Sequence, residues 1–172
     1  MSLPNRLDRR RLAIPWLAGG LLLLLSGCGF HLKGYAQPSA ALNGLYIVAG
    51  DEIDTVAGVL QRELLGGGVI LSPDRGAAKY VFQVLEEKFS SRVLSVDANG
   101  KALDNELRLQ ARVRLTARSG MEPHEEQLEL VRQLSFSGSD ELGQRNETAL
   151  MKEDMRRDLA AQIIRRMEAG LR

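Results

Sequence analysis

The chain has 172 residues, with 23 Lys and Arg against 22 Asp and Glu, so its net charge is +1. That length holds one domain or at most two small ones, and a composition 44% hydrophobic and 26% charged fits neither a disordered chain nor a strongly basic nucleic-acid binder. A single cysteine excludes an internal disulfide, two histidines and one cysteine argue against structural zinc, and 5% aromatics argue against a stacking surface for bases or sugars.

Residues 1–27 differ from the rest. Arg6, Arg9, Arg10 and Arg11 open the chain, an uncharged stretch Leu12–Leu25 follows, and Ser26-Gly27-Cys28 closes it. This is the layout of an export signal. Fourteen apolar residues span only ~21 Å as a helix, short of a ~30 Å hydrocarbon core. Pro15 and Gly19-Gly20 further weaken the alternative, an uncleaved anchor. Leu25-Ser26-Gly27-Cys28 resembles the lipobox of bacterial lipoproteins. That resemblance implies cleavage before Cys28, an S-diacylglycerol and an N-acyl group on it, and no other cofactor. Gly29 stands where lipoproteins retained in the inner membrane carry Asp, which points to the outer membrane of a Gram-negative cell. More than one lipid chain makes such anchoring durable.

The expected mature chain, Cys28–Arg172, carries 19 basic and 21 acidic side chains. Residues 28–41 read as a lipidated tether and 42–172 as a single domain, large enough to bury roughly 68% of its unfolded surface. Leu42–Gly50 predicts a strand. Asp51–Leu65 predicts a helix, capped by Asp51 or Asp54, with Ile53, Val56, Leu60 and Leu64 on one face. Gly66-Gly67-Gly68 ends it; with no Lys-Ser/Thr pair behind, it is not a phosphate loop. Lys79–Ser95 predicts a long strand with a bulge at Val84-Leu85, where the alternation changes phase. Asp97-Ala98-Asn99-Gly100 is a turn.

Leu103–Arg118 alternates most clearly. Leu107, Leu109, Ala111, Val113, Leu115 and Ala117 take one face, and Arg108, Gln110, Arg112, Arg114, Thr116 and Arg118 the other. Ser119–Glu125 turns, and Leu128–Phe136 predicts the next strand, with Arg132 out of character on its apolar face. Ser137–Gly143 reads as a loop. Asn146–Ala169 predicts a helix capped by Asn146, with Met151, Met155, Leu159, Ile163 and Met167 every four residues and Gly170 just past its end. The fold expected is α+β: two helices packed on one face of a mixed, roughly four-stranded sheet, order β-α-β-β-β-α. The crossover through the first helix allows parallel pairing of the first strand.

No catalytic set emerges. His31 and His124 are the candidate bases, but no Gly-x-Ser-x-Gly elbow or Walker motif accompanies them. Glu86-Glu87 and Glu125-Glu126 read as solvated charges on opposite strand faces, so the chain is expected to be no enzyme and to hold no metal. The unusual feature is the basic face: Arg108, Arg112 and Arg114, extended by Arg92 and Lys101, at ~6.5 Å spacing along the strand. Arginine suits bidentate phosphate binding, and the phosphate-rich ligand an exported outer-envelope protein meets is lipopolysaccharide. The competing reading pairs these arginines with acids such as Glu129 on a neighbouring strand.

Cys28-Gly29-Phe30-His31-Leu32-Lys33-Gly34, directly after the signal, resembles the mature start of the LPS-assembly lipoprotein family LptE. The resemblance extends through the element order and the helix ending Ile163-Ile164-Arg165-Arg166-Met167. It implies an outer-membrane lipoprotein that plugs the β-barrel LptD, helps that barrel assemble, contacts lipopolysaccharide and binds no nucleic acid. The alternatives are an accessory lipoprotein of another envelope complex without lipopolysaccharide contact, and a hydrolase dependent on His124.

Overall fold

In a computed structural model of the chain, the described residues are 38, 40–50, 53–120, 122–136 and 140–171, all within the unit Gln37–Arg172. The expected signal segment, Cys28, His31 and the tether as far as residue 37 lie outside the described residues, as does Asp51. A short 3-10 turn, Ala40–Leu42, leads into β1 (Leu45–Val48), α1 (Val56–Gly66), β2 (Tyr80–Val96), β3 (Ala102–Ala117), β4 (His124–Ser135) and α2 (Glu141–Gly170). The sheet order is β1-β2-β3-β4. β1 runs parallel to β2 because α1 carries the chain back across one face, whereas the hairpins make the other pairs antiparallel.

The alternation of β3 decides which face is covered. Leu107, Leu109, Ala111 and Val113 are buried beneath both helices, in one cluster with Val56, Leu60 and Leu64 of α1 and Met155, Leu159, Ile163 and Met167 of α2. The even residues of β3 face away from the helices. The expected bulge is present as a register shift between Val84 and Glu86. It puts Phe82 and Val84 before it, and Glu87 and Phe89 after it, on the same covered face.

Four expected boundaries are corrected. α1 begins at Val56, capped by Thr55, whose Oγ1 accepts from Gly58 N at 3.1 Å; neither Asp51 nor Asp54 is the cap, its first turn holds no acid, and Ile53 is exposed outside the helix. Thr55 has the extended backbone that a cap needs, and its hydroxyl reaches the first free amides. α2 begins at Glu141, capped by Asp140 through a 2.7 Å bond to Gly143 N, so part of the expected loop is helical and Asn146 is interior. Gly170 is its last residue, not the one beyond it. β4 starts at His124, four residues earlier than the apolar pattern suggested, because Glu125 and Glu126 pair across the sheet with Arg114 and Val113.

Length shapes the rest. At ~3.3 Å per residue β2 extends ~56 Å, whereas α1 at ~1.5 Å per residue covers ~16 Å. Beyond α1 the sheet is shielded, among the described residues, only by the first turns of α2, and Val93, Leu94, Val96 and Leu103 are exposed there, as are Leu142 and Leu150.

Candidate functional site

All four arginines singled out by phase, Arg92, Arg108, Arg112 and Arg114, share the face of the sheet that the helices leave open. The register explains why. Arg108, Arg112 and Arg114 are even residues of β3, and Arg92 of β2 lies opposite Glu106 after the bulge. The hairpins then lay carboxylates alongside. Arg108 bonds Glu129, and Glu106 at 3.2 Å. Arg114 Nε reaches Glu125 at 2.7 Å. Arg92 meets Glu106, and Arg112 meets Glu86, each at 3.4 Å. Gln110 Nε2 donates to Glu129 at 2.6 Å. Five cations (Lys88 and the four arginines) thus stand among five acids (Glu86, Asp104, Glu106, Glu125 and Glu129), so the paired strands form a neutral lattice, not a basic patch. Exposed pairs of this kind contribute about 0–1 kcal/mol each, so they can exchange partners.

The lattice is tighter toward the β2–β3 turn. Hydrogen bonds from Ser135 (2.6 Å) and Ser95 hold the Asp104 carboxyl below its ordinary value. The Arg108 guanidinium, with Arg92 beside it, does the same for Glu106. At the turn, the Lys101 and Asn99 amides lower Asp97. A carboxyl whose folded pKa is depressed stabilises the fold above its unfolded value and loses that contribution as pH falls through the folded one. The urea midpoint should therefore hold from pH 7 to about 5 and drop as pH is lowered further, through the ordinary carboxylate range near 4 and below it. Asp104→Asn and Glu106→Gln should flatten that dependence; an unchanged slope in both would remove these bonds from the account of stability.

The adjacent carboxylates divide as the alternation requires, but not both into solvent. Glu86 is solvated on the open face. Glu87 faces the helices, accepts from Val56 N and from Arg156 Nε at 2.7 Å each, and its side chain is only 15% exposed. Sequence reasoning missed this role; the signal was the bulge itself, which sets which of the two glutamates turns inward. Glu125 pairs with Arg114 and Glu126 with Arg166, on opposite faces. Arg132, in the apolar phase of β4, reaches Asp158 of α2 at 2.6 Å.

His124 stands at the mouth of an apolar cleft of about 470 Å³ between the end of α2 and the sheet, floored by Phe82, Leu128, Ile163 and Met167. The charged groups in the lining are Glu122, Glu126 and Arg166, and among the described residues no serine, threonine or cysteine lines the cleft. Among the described residues, His124 therefore has no hydroxyl or thiol beside it to activate.

A family model described as "LptE: Lipopolysaccharide-assembly" matches residues 42–167. The chain is 25% identical over 152 residues to the LPS-assembly lipoprotein LptE of Photorhabdus laumondii subsp. laumondii, covering 88% of this chain and 82% of that protein. Its fold is similar to the crystal structure of the rare lipoprotein B from Shewanella oneidensis, with a TM-score of 0.65 at 21% identity, covering 74% of this chain and 96% of that one. It is also similar to a minor lipoprotein from Acinetobacter baumannii, with a TM-score of 0.57 at 25% identity, covering 73% of this chain and 90% of that one.

Proposed function

The chain belongs to the LptE family of lipopolysaccharide-assembly lipoproteins, and we propose that it acts at the outer membrane, held there by the lipids on Cys28, as the partner and plug of an LptD-type β-barrel. In that role it helps the barrel assemble and lipopolysaccharide reach the outer leaflet, with no catalytic step of its own. The observation that carries this is the family match, which runs from the 3-10 turn to the last turns of α2. The open, charged sheet face supports it, since a plug must present a broad polar surface to the barrel and its cargo. Lipopolysaccharide phosphates are read as ligands of that face, where Arg92, Arg108, Arg112 and Arg114 stand together.

One observation favours a second reading, an accessory lipoprotein without lipopolysaccharide contact: each of those arginines already has a carboxylate partner. A tagged pull-down from detergent-solubilised outer membranes separates the two. A stoichiometric large β-barrel carrying lipopolysaccharide is expected. Cys28→Ala should block lipidation and cleavage together, leave the chain in the inner-membrane fraction with its signal uncut, and remove the barrel from the pull-down. Recovery of the wild-type chain alone, or with an inner-membrane transporter, would overturn the reading.

A further inference from the structure

Resting on that reading, we propose that the open sheet face holds one phosphate subsite, formed by Arg112, Lys88 and Gln127, and that Glu86 is the internal anion a ligand phosphate displaces. The four arginines are not equivalent. Arg108 is engaged by two carboxylates, and Arg114 grips one oxygen of Glu125 with both Nε and Nη2. Arg92 shares Glu106 with Arg108 at the far end of the lattice. Arg112 makes a single 3.4 Å contact to Glu86, with both side chains more than half exposed, so most of its guanidinium donors are open to a ligand.

The register brings suitable groups around it. Glu86 lies directly across from Arg112 on β2 and Gln127 directly across on β4. Lys88, opposite Gln110, is the diagonal neighbour at roughly 7–8 Å, within reach of long side chains. Lys88 has no carboxylate partner and the Gln127 amide no hydrogen-bond partner among the described residues. These side chains, with Gln110, surround a hollow of about 80 Å³. A partly open hollow of that size admits a group on the scale of a phosphate.

Charge decides the exchange. A phosphate monoester carries about −1.5 to −2 near neutral pH and takes arginine in two parallel bonds, whereas Glu86 offers −1 at a long distance. With Glu86 in place the hollow holds +1, and neutralising Glu86 makes it +2. The acid thus sets how tightly the face binds and how easily it lets go, which suits a carrier that must pass its cargo on.

The test uses the full lipidated protein in detergent, titrated with purified lipopolysaccharide and, separately, with inorganic pyrophosphate. Glu86→Gln should tighten both by about three- to tenfold. Lys88→Gln with Arg112→Gln should weaken both by about tenfold or more, as expected for lost hydrogen bonds to charged groups. Arg157→Gln, on α2 and away from the open face, should leave both within about twofold. Lipopolysaccharide bound with an affinity that none of these changes moves would overturn the subsite and leave the functional reading standing. Pyrophosphate bound at the hollow with no lipopolysaccharide binding would uphold the subsite and overturn the cargo reading. Weaker binding by Glu86→Gln would overturn the displacement and make Glu86 a support for Arg112.

Discussion

Phe82→Ala should destabilise the domain by about 3–5 kcal/mol. Phe82 is fully buried, lies across from Ile47 of β1 and Leu115 of β3, and shares the lining of the apolar cleft with Ile163 and Met167 of α2. Truncation removes the transfer term of a whole ring and opens new space beside a void already about 470 Å³ in size. β2, which carries it, is paired on both sides, so the site collapses little, and the cost falls at the upper end of such changes. A domain stable by about 5–15 kcal/mol loses a large share of its margin, with a Tm lower by roughly 10–15 °C. Phe89→Ala on the same strand should cost less, about 1–2 kcal/mol, because Phe89 is only partly buried and carries the Lys152 ammonium 5.0 Å from its ring centre. Thermal melts followed by circular dichroism rank the two. Equal losses would mean that the weight of the core does not sit where α2 crosses β2.

Periodicity in the sequence reached the elements whose one face is buried, since burial is what creates periodicity. Leu107, Leu109, Ala111 and Val113 of β3, with Leu115 packed against them, and Met155, Leu159, Ile163 and Met167 in α2 appear in the core as their spacing required; Ala117, at the strand end, does not. The break at Val84-Leu85 was equally readable, because a change of phase has few causes other than a bulge. Helix starts were less so. Several short polar residues stand near each start, and any can cap; the first turn of α2 adds little to the core and is supported by Asp140 and the Glu141–Arg145 pair at 2.6 Å. Gly143 inside that turn disguised it further. For the site, phase alone placed the arginines on one face. It did not give their partners, because register across two hairpins decides that Glu86 meets Arg112 and Glu125 meets Arg114.

Glu87→Ala is the change expected to loosen both helices together. One carboxylate accepts the Val56 N–H at the start of α1 and the Arg156 Nε in the middle of α2, each at 2.7 Å, so three elements meet on two oxygens. Removing it leaves a guanidinium that is 15% exposed without its counter-charge and a helix-terminal amide without its acceptor. Hydrogen bonds to charged groups contribute about 1.5–3 kcal/mol, and breaking a fully buried pair costs about 3–5. Partial exposure screens this one, so about 2–3 kcal/mol is expected. Glu87→Gln keeps the shape but can accept with only one of its two ends, so its amide nitrogen meets another donor and little stability returns. A double-mutant cycle with Arg156→Ala separates the pair from the amide bond. Coupling above about 1 kcal/mol is expected, against 0.2–1 for an exposed pair such as Arg157 with Glu153. Additive losses below about 0.5 kcal/mol would show that solvent screens the junction and that packing alone holds the helices to the sheet. Chemistry set by one bulge would then have no energetic consequence, and Glu87 would be as replaceable as its solvated neighbour Glu86.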